Sequence, residues 1–349
     1  MKQRIGFARW RSDLASGGNR YDDELAVALR ALGLDVREYP VPGSWPVPKQ
    51  QERERLSGLL AAEQDWLIDN IIGSAEPEVI SAAVESGRRV TMLIHYFPAD
   101  DPALSQRVRK RLTATEAQAV EAADTVVVTS SWAADQVAAR YGRGDAVVAI
   151  PGVAPAELAI GSARAGNPPM LLWLGRLTQT KDPLTFIAAL SRLQDFEWTA
   201  QLVGSDKVDD DLSREVRERI DQAGLSYRVT VLGQRSGDAL ESVWAKADLL
   251  VHTSRTETYG MVITEALARG IPAIVPAGTG AVEAQGVGES FPPGDADALS
   301  AVLHGWLSDP ELRQRWRDEA EKLRLQLPTW ADTARIVAAA LPAGASTVG

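Results

Sequence analysis

Residues 249–272 read LLVHTSRTETYGMVITEALARGIP. The apolar run 249–252 has the length of a buried strand, and a polar loop follows it as far as Gly260. From 261 to 269 the residues suit a helix, ended by Gly270 in the left-handed conformation that glycine tolerates, and a new apolar run begins at 273. Strand, loop, helix and strand make one parallel βαβ unit. Open α/β sheets bind ligands beyond the carboxyl ends of their strands, so the loop after His252 is a candidate site. Gly260 permits close backbone approach, and the first helical amides, those of Met261 and Val262, would point at an anion such as a diphosphate.

The same alternation extends in both directions. Besides 249–252 and 273–275, strands are expected at 4–8, 90–94, 125–129, 147–150, 170–174, 199–203 and 229–232, with helical patterns between them. Helices at 22–32 and 132–141 each stop at a glycine, Gly33 and Gly142. The stretch 153–169, rich in Ala, Gly and Pro, lacks periodicity and reads as a linker with a boundary near 160. The pattern predicts an α/β protein of two doubly wound parallel sheets, one in 1–160 and one in 161–328. A separate last helix follows at about 329–342, and then a frayed tail at 343–349. Length agrees, since 349 residues exceed the roughly 250–300 at which a single core stops growing.

Composition narrows the partners. A net charge of -10 argues against nucleic acid, whose binding needs clustered Lys and Arg. The one dense basic run, Arg107, Arg109, Lys110 and Arg111, reads as a solvated helix face. The chain has no Cys, which excludes disulfides, thiolate metal sites and cysteine nucleophiles. The first ten residues hold no apolar targeting core, and no run of about 18 apolar residues occurs. A soluble cytoplasmic protein is expected, with at most peripheral membrane contact. Oligomeric state is not readable.

Glu257 and Glu265, eight positions apart, invite comparison with a glycoside hydrolase. If the whole stretch were helical, eight residues would rise about 12 Å, against the roughly 5–5.5 Å between retaining carboxylates. A hydrolytic pair is therefore disfavoured. In the better division of labour Glu257, in the loop, binds sugar hydroxyls and Glu265, on the helix, accepts from ribose hydroxyls.

The segment resembles the E-x7-E signature of family 4 retaining glycosyltransferases with the GT-B fold. The resemblance includes Tyr259-Gly260 after the first Glu and the Ala266-x-x-x-Gly270-x-Pro272 pattern after the second. It continues in Trp173-Leu174-Gly175-Arg176-Leu177-Thr178-Gln179-Thr180-Lys181-Asp182, where it implies that Arg176 and Lys181 bind donor phosphates. It also takes in 123–130, 150–153 and the helix starting at Trp330, which in such proteins crosses back onto the first domain. Ser16-Gly17-Gly18 corresponds to a glycine turn against the phosphates. His95 corresponds to the His of a His-Asp pair that contacts the donor sugar, but Tyr96 stands where the Asp would be. Segments 45–69 and 100–113 fit the family least.

The resemblance implies an acceptor-side first domain and a donor-binding second domain with the active site between them. A hexose-type sugar would move, with retention, from a nucleotide diphosphate sugar to an unidentified acceptor hydroxyl. A UDP-sugar is favoured ahead of GDP-mannose. Base contacts are expected from Gly233, Gln234 and Arg235, and further donor contacts from Gly175, Tyr259 and Gly260. Preplaced cations would stabilise the charge that builds on the leaving diphosphate, so no cofactor and no obligatory metal are expected. Asp209-Asp210-Asp211 reads as a charged helix start. His252 and His304 are given no role. Trp10 and Trp45 are candidates for stacking on a sugar. Two alternatives stay open: a GT-B nucleotide-sugar epimerase, which needs further acid and base groups, and a catalytically silent nucleotide-sugar binder.

Overall fold

The structure, a computed structural model, describes residues 3–11 and 16–342. The tail expected at 343–349 lies outside them. By contact the chain divides into Met1–Gly152 with Pro328–Gly349, here unit 1, and Val153–Leu327, unit 2.

Unit 1 is built on six parallel strands, β1 (Arg4–Trp10), β2 (Asp35–Val41), β3 (Asp65–Asp69), β4 (Arg89–Ile94), β5 (Thr125–Val128) and β6 (Val147–Val148). They run in the order β2-β1-β3-β4-β5-β6. The first crossover is the Gly17–Ala31 helix, whose N-cap Ser16 accepts from the Asn19 amide at 3.1 Å and whose exit turns at Gly33 with φ 95°. Gly6 in β1 has a steric reason, because a Cβ there would lie 2.5 Å from the Trp66 ring. Trp66, Ile68, Met92 and Val126 form part of the core behind it. Trp45 is buried in that core too, and is no stacking surface. The last helix, Trp330–Ala340, packs against Gly17–Ala31, with the Trp330 ring edge-on to Tyr21 at 5.3 Å. At its start Gly152 is so close that a Cβ would fall 2.2 Å from the Trp330 nitrogen.

Unit 2 repeats the design with β7 (Met170–Leu174), β8 (Thr199–Val203), β9 (Val229–Gly233), β10 (Leu249–Val251), β11 (Ala273–Pro276) and β12 (Ser290–Phe291). Their order is β12-β11-β10-β7-β8-β9, again all parallel. Leu171, Trp173, Phe186, Trp198 and Leu249 pack in its core. Asp209 accepts from the Leu212 amide and caps the Asp210–Gln222 helix, so this acidic run starts a helix.

Three strands escaped the sequence pattern. β2 mixes charges with Pro40, which an edge strand accommodates. β3 has only three apolar residues between two acids, yet all five are buried: Arg89 holds Asp65 through two 2.6 Å bonds, and Asp69 caps the turn that follows. β12 has two residues, too few for any period. The stretch 153–169 is also less free than a linker. Amides of Ala159, Gly161 and Ser162 donate to Arg269, Ala245 and Lys246, and the Asp248 carboxylate collects the amides of Ser162, Ala163 and Met170. Among the described residues, no helix is long and apolar enough to cross a membrane.

Candidate functional site

In unit 2 the strand order reverses between β7 and β10, because β8 and β9 lie on one side of β7 and β10, β11 and β12 on the other. The loops leaving β7 and β10 therefore flank the crevice at which doubly wound sheets bind ligands. Those loops carry Gly175 to Lys181 and His252 to Gly260.

The two loops are fastened together. Trp173 Nε1 donates to Thr253 Oγ1 at 2.8 Å, and that hydroxyl lies 3.0 and 2.8 Å from the carbonyl oxygens of Lys181 and Asp182. The Arg255 amide donates to the Thr180 carbonyl at 2.8 Å. Asp182 takes a left-handed φ of 48° while capping the Pro183–Leu190 helix and pairing with Arg255 at 2.5 Å. Main-chain packing leaves no room for change: a Cβ at Gly204 would lie 1.9 Å from the Gly175 carbonyl oxygen, and one at Gly280 2.0 Å from that of Thr258.

On this frame Lys181 Nζ donates to Glu257 Oε2 at 2.6 Å, and His252 Nε2 lies 3.0 Å from the same oxygen. Burial on its own would raise the Glu257 carboxyl, but the Lys181 ammonium and the His252 hydrogen bond outweigh it and hold the group far below its ordinary range. Burial, helped by the Lys181 charge, pushes His252 down, so its imidazole is neutral at pH 7. Glu257 is thus an ionised carboxylate with one oxygen doubly engaged.

Gly260, at φ 90°, opens the Met261–Ala268 helix, whose amide-bearing start adjoins Glu257. Val262 lies in its first turn and Glu265 one turn further on, half-buried. Arg176 is half-buried and makes no ion pair among the described residues. Tyr259 is 4% exposed, so its ring belongs to the core and what it can offer a ligand is mainly backbone. Gly233, Gln234 and Arg235 stand at the carboxyl end of β9, on the same edge of the sheet but two strands from β7, with the two side chains exposed.

Unit 1 reverses its order between β1 and β3, and its candidates gather there. The His95 imidazole sits directly under the glycine turn, since a Cβ on Gly18 would lie 2.8 Å from it; Gly17 has open space around it. His95 Nε2 is 3.4 Å from Asp22 Oδ1 and 3.6 Å from Asp69 Oδ1. Burial would lower this histidine, but the two carboxylates raise it to about 9, while burial lifts Asp22 to about 6. Position 96 is Tyr, and the acids beside His95 come from the first helix and from the end of β3. These three side chains also approach one another within 4.8 Å, a grouping of metal-ligand type.

Sequence reasoning missed His252, Thr253, Asp22 and Asp69. His252 carried a signal, standing at a strand end five residues before Glu257. Asp69 was hidden because β3 was not recognised.

Residues 157–323, within unit 2, match the model of a family described as glycosyl transferases group 1. Mannosylfructose-phosphate synthase of Agrobacterium fabrum is 33% identical over 112 residues, which cover 30% of this chain and 25% of that protein. Over that alignment the chain spans only a quarter of its relative. Among solved structures, sucrose-phosphate synthase from Thermosynechococcus elongatus superposes with a TM-score of 0.79 at 21% identity, covering 97% of this chain and 98% of the other. Anabaena HepE, in complex with UDP and glucose, gives 0.74 at 20% identity, covering 97% and 98%. The fold is GT-B, with two Rossmann-like sheets.

Proposed function

We propose that this chain is a retaining glycosyltransferase that moves a hexose-type sugar from a nucleotide diphosphate sugar, UDP-linked ahead of GDP-linked, to an acceptor hydroxyl. The observation that carries the reading is Lys181 bonded at 2.6 Å to an ionised Glu257, beside the Met261 helix start at the β7/β10 reversal. A cation, free amides and a fixed acceptor oxygen at one point are what a diphosphate and the sugar attached to it require.

In this reading Lys181 and Arg176 hold the diphosphate, with the amides of Met261 and Val262 and the backbone at Gly175, Tyr259 and Gly260. Glu257 accepts from sugar hydroxyls, Glu265 from the ribose, and Gly233, Gln234 and Arg235 meet the base. As the glycosidic bond breaks, charge builds on the leaving phosphate, and Lys181 and Arg176 stabilise it. The phosphate then assists deprotonation of an acceptor attacking from the same face. This reading calls for no metal.

Thermal-shift screening against UDP, GDP and ADP tests the pocket, because a ligand that binds only the folded state raises the melting point. Lys181→Ala should weaken donor binding and slow turnover, and Glu265→Ala should mainly weaken nucleoside binding. Unchanged constants in both variants would refute the assignment. The Asp22–Asp69–His95 group gives an epimerase reading the acid and base set it needs. Epimerised donor recovered without acceptor would favour that alternative.

A further inference from the structure

We propose that His252 is a positioning residue for Glu257: it fixes the carboxylate through Oε2 and leaves Oε1 as the atom that accepts a donor-sugar hydroxyl. This rests on the transferase reading above.

Oε2 of Glu257 receives Lys181 Nζ at 2.6 Å and faces His252 Nε2 at 3.0 Å. An ionised carboxylate only accepts, so Nε2 must carry the imidazole hydrogen and Nδ1 the lone pair. The Ser254 hydroxyl, also 3.0 Å from Nε2, cannot then donate to it and can only share its hydrogen. Oε1 takes no hydrogen bond among the described residues, although the side chain keeps 13% of its surface accessible. Main-chain anchors complete the hold: the Gly280 amide donates to the Glu257 carbonyl at 2.8 Å, and Gly260 packs under the Glu257 Cγ.

Lys181 and His252 are not equivalent. A phosphate arriving at Lys181 competes for the ammonium, whereas His252, 4% exposed, is out of a ligand's reach. During donor binding the imidazole is therefore the partner that keeps Glu257 oriented. Consecutive residues divide the work, with Thr253 holding the backbone of Lys181 and His252 the side chain of Glu257.

The test compares His252→Leu, of similar bulk without a donor, with His252→Gln, whose amide nitrogen can reach the position of Nε2. The UDP-sugar that wild type consumes fastest, by transfer or by slow hydrolysis, is the probe. His252→Leu should lower kcat about tenfold to a hundredfold, the range for a lost hydrogen bond to a charged group, with UDP affinity unchanged. His252→Gln should restore most of the loss. In parallel, 15N chemical shifts of wild-type His252 should report hydrogen on Nε2. Wild-type rates in the Leu variant, no rescue by Gln, an equal loss of UDP affinity, or hydrogen on Nδ1 would each overturn the proposal. A wild-type protein that neither binds nor consumes any nucleotide sugar would sink the transferase reading, while the tautomer measurement would still decide whether His252 donates to Glu257.

Discussion

Replacing Lys181 by Met removes the ammonium and keeps most of the apolar stem. Breaking a buried ion pair costs about 3–5 kcal/mol, because one charge is left without its partner. Here the pair is partly open, with Lys181 26% and Glu257 13% exposed, and His252 keeps one bond to the carboxylate. About 2 kcal/mol is the reasonable expectation, a fall in Tm of roughly 4–8 °C for a unit of this size. The sign of the pH dependence follows from the carboxylate. In wild type the Glu257 pKa is depressed, so its contribution is present above the ordinary value of 4.5 and is lost only as pH falls through the lower folded value. Without Lys181 the burial that opposes ionisation dominates and the folded pKa rises. Protonation then relieves the variant, and its deficit should shrink between pH 7 and pH 5. Differential scanning fluorimetry at both pH values measures this, and a double-mutant cycle with Glu257→Gln should return a coupling of about 1–2 kcal/mol. A Tm within about 1 °C of wild type at pH 7, or equal deficits at the two pH values, would refute the account of the pair.

Two further outcomes are expected. Gly152→Ala would place a Cβ 2.2 Å from the Trp330 nitrogen and 2.5 Å from the Thr329 carbonyl carbon, backbone that cannot step aside. Urea denaturation should show a loss of about 2–4 kcal/mol, and a loss below about 0.5 would contradict the packing of the last helix. An NMR titration of His95 should give a midpoint near 9, raised from the ordinary 6.5, and Asp69→Asn should bring it down by about a unit or more. Because the folded pKa is raised, this stabilisation is complete below about 6.5 and lost as pH rises through about 9. The Asn variant should therefore lose more stability at pH 6 than at pH 10, and an unmoved midpoint would exclude Asp69 as the cause.

The two doubly wound parallel sheets were legible because most strands are apolar runs between helices, several of which stop at a glycine; the GT-B assignment came from the resemblance of the motifs. Met170–Leu174 and Thr199–Val203 begin and end where the pattern placed them. Legibility failed where tertiary partners hide the chemistry of the sequence. Asp65 and Asp69 make β3 look like a surface loop until Arg89 and the following turn satisfy them. The same holds at the candidate site. Glu257 and Lys181 could be named from the residues around each, but their pairing across 76 positions could not. The acids beside His95 lie on elements distant in sequence, one of them on the strand that went unread.

The Trp330–Ala340 helix carries a consequence for synthesis. Its partner, Gly17–Ala31, leaves the ribosome early, but at ~5–20 residues per second the stretch 153–327 takes about 10–35 s to follow. Throughout that interval the nascent first unit has a bare flank, while the second unit already holds all of its own strands before translation ends. Unit 1 is thus completed only after unit 2 has been made, and a plasmid encoding residues 1–152 alone would yield a polypeptide that keeps this flank uncovered.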